Sequence, residues 1–120
     1  MKLTNQQIYS YAKAINEAFQ DNTQYLPVKV NFFILKNKNT LLALAQDIEN
    51  SRIEIIRNYG EDNGSQFIVP EDKIETANKE LSDLFNIEQE VNIHTVSIDA
   101  FPEDISLTTG QMEALMFMIE

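Results

Sequence analysis

The sequence predicts an α+β domain that is mostly helical. Apolar residues recur at helical spacing in four segments, whereas only two short segments have the composition of β-strands. The chain of 120 residues is long enough for one hydrophobic core but not for two. We therefore expect a single domain over residues 1–120, in which a long helix packs in an antiparallel hairpin with a second helix. Two terminal helices and a small two- or three-stranded sheet should complete it.

The first helix is predicted to begin after Thr4. Thr4 and Gln7 have the spacing of a capping box, in which the Thr hydroxyl accepts from a first-turn N–H and the Gln side chain reaches back. Leu3 and Ile8 flank the box at the spacing of a hydrophobic staple. The polar residues 20–24 should end this helix.

The second helix is predicted to run from Val28 to Tyr59, because this stretch contains neither Gly nor Pro. Gly60 is suited to the C-cap. Residues 28–35 are rich enough in β-branched and aromatic side chains to form a strand instead, although we favour a continuous helix. A seam of apolar residues at spacings of four and three, interrupted by two polar ones, comprises Val30, Ile34, Asn37, Leu41, Leu44, Ile48, Ser51 and Ile55.

The third helix should open after Pro70, with acidic residues in its first turn where the helix dipole favours them, and should stop near Asn86. Residues 66–69 and 90–98 are the strand candidates, and we expect them to form the sheet. In the second of these the apolar alternation changes parity between Ile93 and Val96, which a bulge near His94 would explain.

The last helix repeats the opening device, with Thr108 and Gln111 as the capping box and Leu107 and Met112 as the staple. It is expected to continue through the apolar residues 115–119. The predicted core of the whole domain consists of Ile8, Ile15, Phe19, Ile34, Leu41, Leu44, Ile48, Ile55, Ile74, Leu81, Leu84 and Ile119.

Charge is distributed very unevenly along the chain. The formal net charge is −10, yet residues 1–60 hold seven basic and five acidic side chains, whereas residues 61–120 hold 14 acidic side chains and only Lys73 and Lys79. An acidic half of this kind repels nucleic acid phosphates and anionic membranes. It favours a protein partner with a basic surface, and it argues against direct nucleic acid binding.

The residues needed for catalysis or for a common metal site are scarce. The chain has no cysteine, which suits a reducing cytoplasm, and its single histidine, His94, lies in a strand-like segment and reads as structural. No segment has the roughly 18 apolar residues of a membrane span. We therefore expect no enzyme activity, no cofactor, no metal, no membrane attachment and a cytoplasmic location.

Three surfaces are candidates for binding. The first is the acidic face of the third helix, where a docking surface for a basic partner competes with a solvated face that only aids solubility. The second is the apolar C-terminal run, where an intermolecular contact competes with internal burial. The third is the long seam, where packing against the third helix of the same chain is preferred over a coiled coil that would make a homo-oligomer. The predicted protein-binding residues are Glu71, Asp72, Glu75, Glu80, Asp83, Leu115, Phe117 and Met118.

Several segments of the chain are similar to one known group of proteins. Residues 1–5 (MKLTN), 26–32 (LPVKVNF), 52–60, 84–91 and 115–119 (LMFMI) together resemble a family of small uncharacterised proteins from phages and prophages of Gram-positive bacteria. The resemblance implies a phage or prophage origin and a setting in the host cytoplasm. It supplies no active-site residues.

Two roles compete if the resemblance holds. An inhibitor or modulator that docks on a host protein, such as a defence nuclease, fits the acidic half of the chain. A virion or tail assembly factor, or a minor structural component, fits the apolar C-terminus and the possible homo-oligomer. An enzyme of unrecognised type ranks third, because catalytic groups are scarce.

Overall fold

A long central helix organises the fold. The computed structural model describes residues 1–20, 26–62, 64 and 67–120, and these contain α1 (Asn5–Ala18), α2 (Val28–Tyr59), α3 (Glu71–Phe85) and α4 (Thr109–Leu115). The 32 residues of α2 form a rod of about 48 Å at 1.5 Å per residue. α1 packs on α2 as a hairpin, α3 also packs on α2, and α4 packs on α1. The predicted class, α+β and mostly helical, is confirmed.

The helix starts follow the predicted capping chemistry. Thr4 Oγ1 accepts from the Gln7 N–H at 3.1 Å while Gln7 Oε1 accepts from the Thr4 N–H at 2.9 Å. Thr108 and Gln111 make the same pair of bonds, at 3.1 and 3.0 Å. Each box satisfies N–H groups that the first helical turn leaves without a partner.

The predicted limits of α2 and α3 are also confirmed. α2 is a continuous helix from its first residue, so residues 28–35 are not a strand. Gly60 is its C-cap and donates its N–H to the Ile56 carbonyl, but with φ −86° it does not need the conformational freedom of glycine. The predicted end of α1 at residues 20–24 lies mostly outside the described residues, as do Asn63, Ser65 and Gln66 of the next predicted loop and strand.

The predicted sheet is wrong in its pairing. β1 (Lys2–Thr4) pairs antiparallel with β4 (Glu88–Glu90), and β2 (Glu61–Asp62) pairs with β3 (Phe67–Ile68) in a separate hairpin where Gly64 has φ 97°. Residues 66–69 and 90–98 therefore do not meet in a sheet. The N-terminal strand lies beside residues 88–91, where residues 66–69 were expected. The Val91 N–H donates to the Met1 carbonyl at 2.8 Å.

A buried asparagine explains why residues 91–98 are not a strand. The Asn37 side chain donates to the His94 carbonyl at 2.8 Å and accepts from the His94 N–H at 2.9 Å. One amide side chain thus satisfies both backbone groups that a neighbouring strand would have paired, and no bulge forms. The change in the apolar alternation between Ile93 and Val96 therefore coincides with the segment that Asn37 holds at His94.

The C-terminus also departs from the expected helix. α4 stops at Leu115, a 3-10 turn covers Met116–Met118, and Ile119 forms a parallel bridge with Val96. The Val96 N–H donates to the Met118 carbonyl and the Glu120 N–H donates to the Val96 carbonyl, both at 2.8 Å. These backbone bonds hold the chain end in an extended conformation, so the helix cannot continue.

α1 and α3 meet end to end along α2, and Asn5 fixes the joint. Asn5 is 3% exposed, donates its side-chain N–H to the Leu84 carbonyl at 2.8 Å, and accepts from Gln89 Nε2 at 2.6 Å. Its backbone N–H donates to the Ile87 carbonyl at 2.8 Å. The position of α3 on the molecule is therefore held by hydrogen bonds as well as by apolar contacts.

Five of the twelve predicted core residues are buried, namely Ile8, Ile15, Ile34, Leu41 and Ile48. Seven other predictions are only partly right or wrong: Phe19, Leu44, Ile55, Leu81, Leu84 and Ile119 are half-buried, and Ile74 is 42% exposed. The core also includes residues that the sequence prediction missed: Leu3, Leu26, Val30, Val91, Val96, Leu115 and Met118.

Candidate protein-binding surfaces

The first surface is the acidic face of α3, defined as Glu71, Asp72, Glu75, Glu80 and Asp83. α3 buries Ala77 and half-buries Leu81 and Leu84, so these acids, which lie elsewhere around the helix, are turned to solvent. All five are exposed. The structure therefore brings together the five acidic residues that the sequence singled out, on one rigid helix.

Within this face, two acids have partners and three do not. Asp83 accepts from Lys79 at 3.2 Å, and Glu80 accepts from the Tyr59 hydroxyl at 2.9 Å, which raises the pKa of Tyr59. Glu71, Asp72 and Glu75, the unpaired acids, form no ion pair with any residue that the structure describes. The helix dipole favours negative charge at this end of α3.

Other acids of the second half are partly neutralised by the N-terminus. The terminal ammonium lies 2.9 Å from Glu90 Oε1, and the Lys2 ammonium lies 3.3 Å from Glu88 Oε2. The hydrogen bond and charge of the terminal ammonium hold the pKa of Glu90 below its ordinary value. Negative charge is thus compensated at β4 and left uncompensated at the start of α3.

Most of the C-terminal apolar run is turned inward. Leu115 and Met118, two of the predicted protein-binding residues, are both 0% exposed and belong to the core of their own chain. Phe117 is half-buried and stacks on Tyr11, with ring centroids 4.9 Å apart and planes at 11°. Of this apolar run, Met116 is exposed, at 62%.

The long seam of α2 is also covered by its own chain. Val30, Ile34, Asn37, Leu41 and Ile48 are buried, and Asn37 is committed to His94. The preferred prediction placed the third helix against this seam; α3 does pack on α2, but so does α1. The five buried positions therefore have neighbours within their own chain.

The opposite side of the same helix forms a surface that the sequence prediction missed. Val28, Phe32 and Leu35 are 86%, 52% and 52% exposed, and with Phe19 they line a groove of about 480 Å³. Lys38 also lines this groove, and Lys29 and Lys36 lie further around the same helix. We call this set the lysine-rimmed groove. Its sequence signal is a second apolar stripe at spacings of four and three, displaced from the seam.

Two of the rim lysines lie near aromatic rings. Lys36 Nζ is 5.8 Å from the Phe32 ring centroid and Lys29 Nζ is 5.7 Å from the Phe33 centroid. At these distances the ammonium groups are attracted by the ring faces. Phe33 in turn stacks on His94 with centroids 5.0 Å apart, which links the rim to the core segment that Asn37 anchors.

A half-buried polar cluster lies between α1 and α2. Glu49 accepts from Arg52 at 2.6 and 2.9 Å and from the Tyr9 hydroxyl at 3.0 Å. The hydrogen bond from Arg52 lowers the pKa of Glu49, and the bond to Glu49 raises the pKa of Tyr9. All three groups are satisfied by one another, so the cluster acts as a structural contact between the helices.

His94 has a structural environment in which its backbone is bonded to Asn37 and its ring is stacked on Phe33. Across the described part of the chain, no three His, Asp or Glu side chains are grouped to hold a metal ion. Within the same ranges, no helix has both the length and the apolar character needed to cross a membrane.

Comparison with known proteins adds no relative, since no family model, no curated protein and no solved structure matches the chain.

Proposed function

We propose that this protein is a non-enzymatic binding module whose acidic face docks on a basic surface of a partner protein. The observation that carries the proposal is the trio of exposed, unpaired acids Glu71, Asp72 and Glu75 on a helix held in place by packing and by the Asn5 joint. Because these acidic side chains stand on a rigid helix, little backbone conformational freedom is lost when the face binds a partner. Such a surface attracts a basic partner rapidly and with strong salt dependence.

An inhibitor or modulator of a host protein is the form of this function that we favour, in the phage setting that the sequence resemblance implies. A basic groove that normally holds nucleic acid is a natural target, since an acidic helix presents negative charge where phosphates would lie. The competing role, a virion or tail assembly factor, rests on the apolar C-terminus and the possible homo-oligomer. Because Leu115 and Met118 are buried, the C-terminus gives this role less support than the acidic face gives the inhibitor.

The proposal is tested by neutralising the three unpaired acids. The variant Glu71→Gln/Asp72→Asn/Glu75→Gln is compared with Glu17→Gln/Asp47→Asn/Glu54→Gln, which removes the same charge from three other exposed positions. Tagged wild-type and variant proteins are used to capture partners from infected and uninfected host lysates, followed by affinity measurements with the purified partner.

We expect wild type and the control variant to capture the same host protein, and the α3 variant to lose it. The affinity should fall steeply between 0.1 and 1 M salt, because the Debye length shrinks from about 10 to about 3 Å over that range. Equal capture by all three proteins, or affinity that is independent of salt, would contradict an electrostatic docking role. Capture of a capsid or tail protein instead would support the assembly factor.

A further inference from the structure

The start of α2 carries an apolar surface that remains exposed among the described residues. Val28, Phe32 and Leu35 follow each other at spacings of four and three, so they lie on one side of the helix, and each is at least half exposed. With Phe19 they form one concave surface. Contiguous exposed apolar residues with a polar rim are typical of interaction sites.

The charged side chains that the first part of α2 carries beside this surface are all basic. Lys29 and Lys36 lie on one side of the Phe32 stripe and Lys38 lies on the other, as the 100° turn per residue of a helix requires. There is no acidic residue between positions 26 and 46. A positive rim around an apolar centre is unusual in a protein of net charge −10, and it defines which partner the groove can accept.

We infer that the lysine-rimmed groove binds an amphipathic helix of another protein, whose apolar stripe is flanked by acidic residues. A helix that presents apolar side chains at i, i+4 and i+7 matches the spacing of Val28, Phe32 and Leu35. Its flanking carboxylates then meet the lysine ammonium groups. The inference stands apart from the proposed function, because it concerns a different surface of opposite charge.

Two other occupants fit the groove less well. A second copy bound through the same face would bring the lysines of both copies together, since a two-fold contact places like residues close to each other. An anionic membrane would attract the lysines, but the net charge of −10 repels it, and a concave surface suits inserted side chains better than a flat bilayer. Charge complementarity therefore favours the acidic helix.

The test uses the full chain and a defined peptide. The probe is a helix-stabilised peptide with Leu at i, i+4 and i+7 and Glu on both flanks, and the matched control peptide carries Lys in place of Glu. Binding is followed by peptide fluorescence anisotropy and by amide chemical-shift changes of the ¹⁵N-labelled protein. We expect shift changes centred on residues 28–39, and at least about tenfold weaker binding of the Lys peptide.

Matched protein variants separate the apolar centre from the rim. Phe32→Gln/Leu35→Gln should weaken binding at least about tenfold, whereas Ile98→Gln/Met116→Gln, which changes two other exposed apolar residues, should leave it within about twofold. Lys29→Gln/Lys36→Gln/Lys38→Gln should weaken binding and reduce its salt dependence. Neutralising Lys13, Arg57 and Lys73, which are exposed elsewhere, should do neither. Circular dichroism checks that each variant is folded.

Several results would overturn the inference. They are the absence of peptide-induced shifts, shifts centred outside residues 28–39, and equal affinity for the Glu and Lys peptides. Self-association of the wild type that disappears in Phe32→Gln/Leu35→Gln, measured by sedimentation, would show that a second copy is the occupant. Binding to vesicles containing anionic lipid without binding to the Glu peptide would assign the groove to a membrane surface.

Discussion

The first part of α2 has two apolar faces that meet opposite surroundings. The inward face is at most 6% exposed and includes one polar residue; its members are Val30, Ile34, Asn37 and Leu41. The outward face is between 52% and 86% exposed; its members are Val28, Phe32 and Leu35. The two faces have nearly the same composition and the same spacing. What differs is what lies against them, namely α1 and the 91–96 and C-terminal segments on one side and solvent on the other.

The difference shows that an apolar stripe on a helix predicts a surface that favours burial. It does not show whether the same chain or another molecule buries that surface. It also explains why residues 28–35 look like a buried strand, since a helix that is apolar on two sides has no simple period. The inward face should control stability and the outward face should control recognition. The predictions below separate these two roles.

The largest expected effect is the loss of a buried leucine from the inward face. Leu41→Ala removes a side chain that is 0% exposed and leaves a cavity, so the free energy of unfolding should fall by about 3–5 kcal/mol. Leu35→Ala makes the same chemical change on the outward face and should cost at most about 1 kcal/mol. Urea denaturation of both variants measures the difference. Similar losses for the two leucines would mean that the two faces are not distinct.

The second effect concerns the buried amide of the inward face. Asn37→Ala leaves the N–H and the carbonyl of His94 without their partner and should lower the free energy of unfolding by about 2–4 kcal/mol. Faster hydrogen exchange of the His94 amide should accompany the loss.

Asn39→Ala serves as its control, because Asn39 is exposed on the same helix and alanine is the better helix former. That variant should be more stable than wild type by about 0.5 kcal/mol. Equal behaviour of the two asparagines would show that the pairing with His94 carries no stability.

Much of the helical framework could be predicted from the sequence, because its signals are local. The boxes at Thr4 and Thr108 and the limits of α2 and α3 depend on residues within one turn of each end. Strand pairing depends on residues distant in sequence, so the pairing of β1 with β4 was missed. The role of Asn37 as a substitute for a strand partner has no local signal either, since a polar residue in a seam also fits a coiled coil.

The candidate surfaces could be predicted only in part. The acids of α3 could be placed because charged residues on an amphipathic helix face solvent. The burial of Leu115 and Met118 could not be predicted, since an apolar run at the chain end is equally typical of a core and of an interface. The lysine-rimmed groove was missed because the seam on the same helix is the longer periodic signal and the second apolar stripe beside it is short.

A smaller effect is expected from the polar cluster at the edge of the inward face. The pKa of Glu49 is held below its ordinary value of 4.5 by the hydrogen bond from Arg52, so the ionised form stabilises the fold. This contribution is present above about pH 4.5 and is lost as the pH falls through the lower pKa of the folded state. Because the pair is partly exposed, we expect it to be worth about 0.2–1 kcal/mol.

Glu49→Gln should therefore lower stability at neutral pH by that amount and flatten the stability profile below about pH 4.5. Glu54→Gln is the control on the same helix, since Glu54 is exposed and forms no ion pair with the described residues. Thermal unfolding at a series of pH values measures both. A profile for Glu49→Gln that parallels the wild type would show that the cluster does not stabilise the fold.

The smallest effect sharpens the comparison most, because adjacent phenylalanines point in different directions. Phe32 is 52% exposed, so Phe32→Ala should change the free energy of unfolding by no more than about 0.5 kcal/mol, helped by the higher helix propensity of alanine. Phe33 is half-buried and stacked on His94, so Phe33→Ala should cost about 1–3 kcal/mol. Chemical denaturation separates the two. If Phe32→Ala lowered the free energy of unfolding by more than about 1.5 kcal/mol, the Phe32 ring would belong to the core. The apolar character of the outward face would then be explained by stability, without a binding partner.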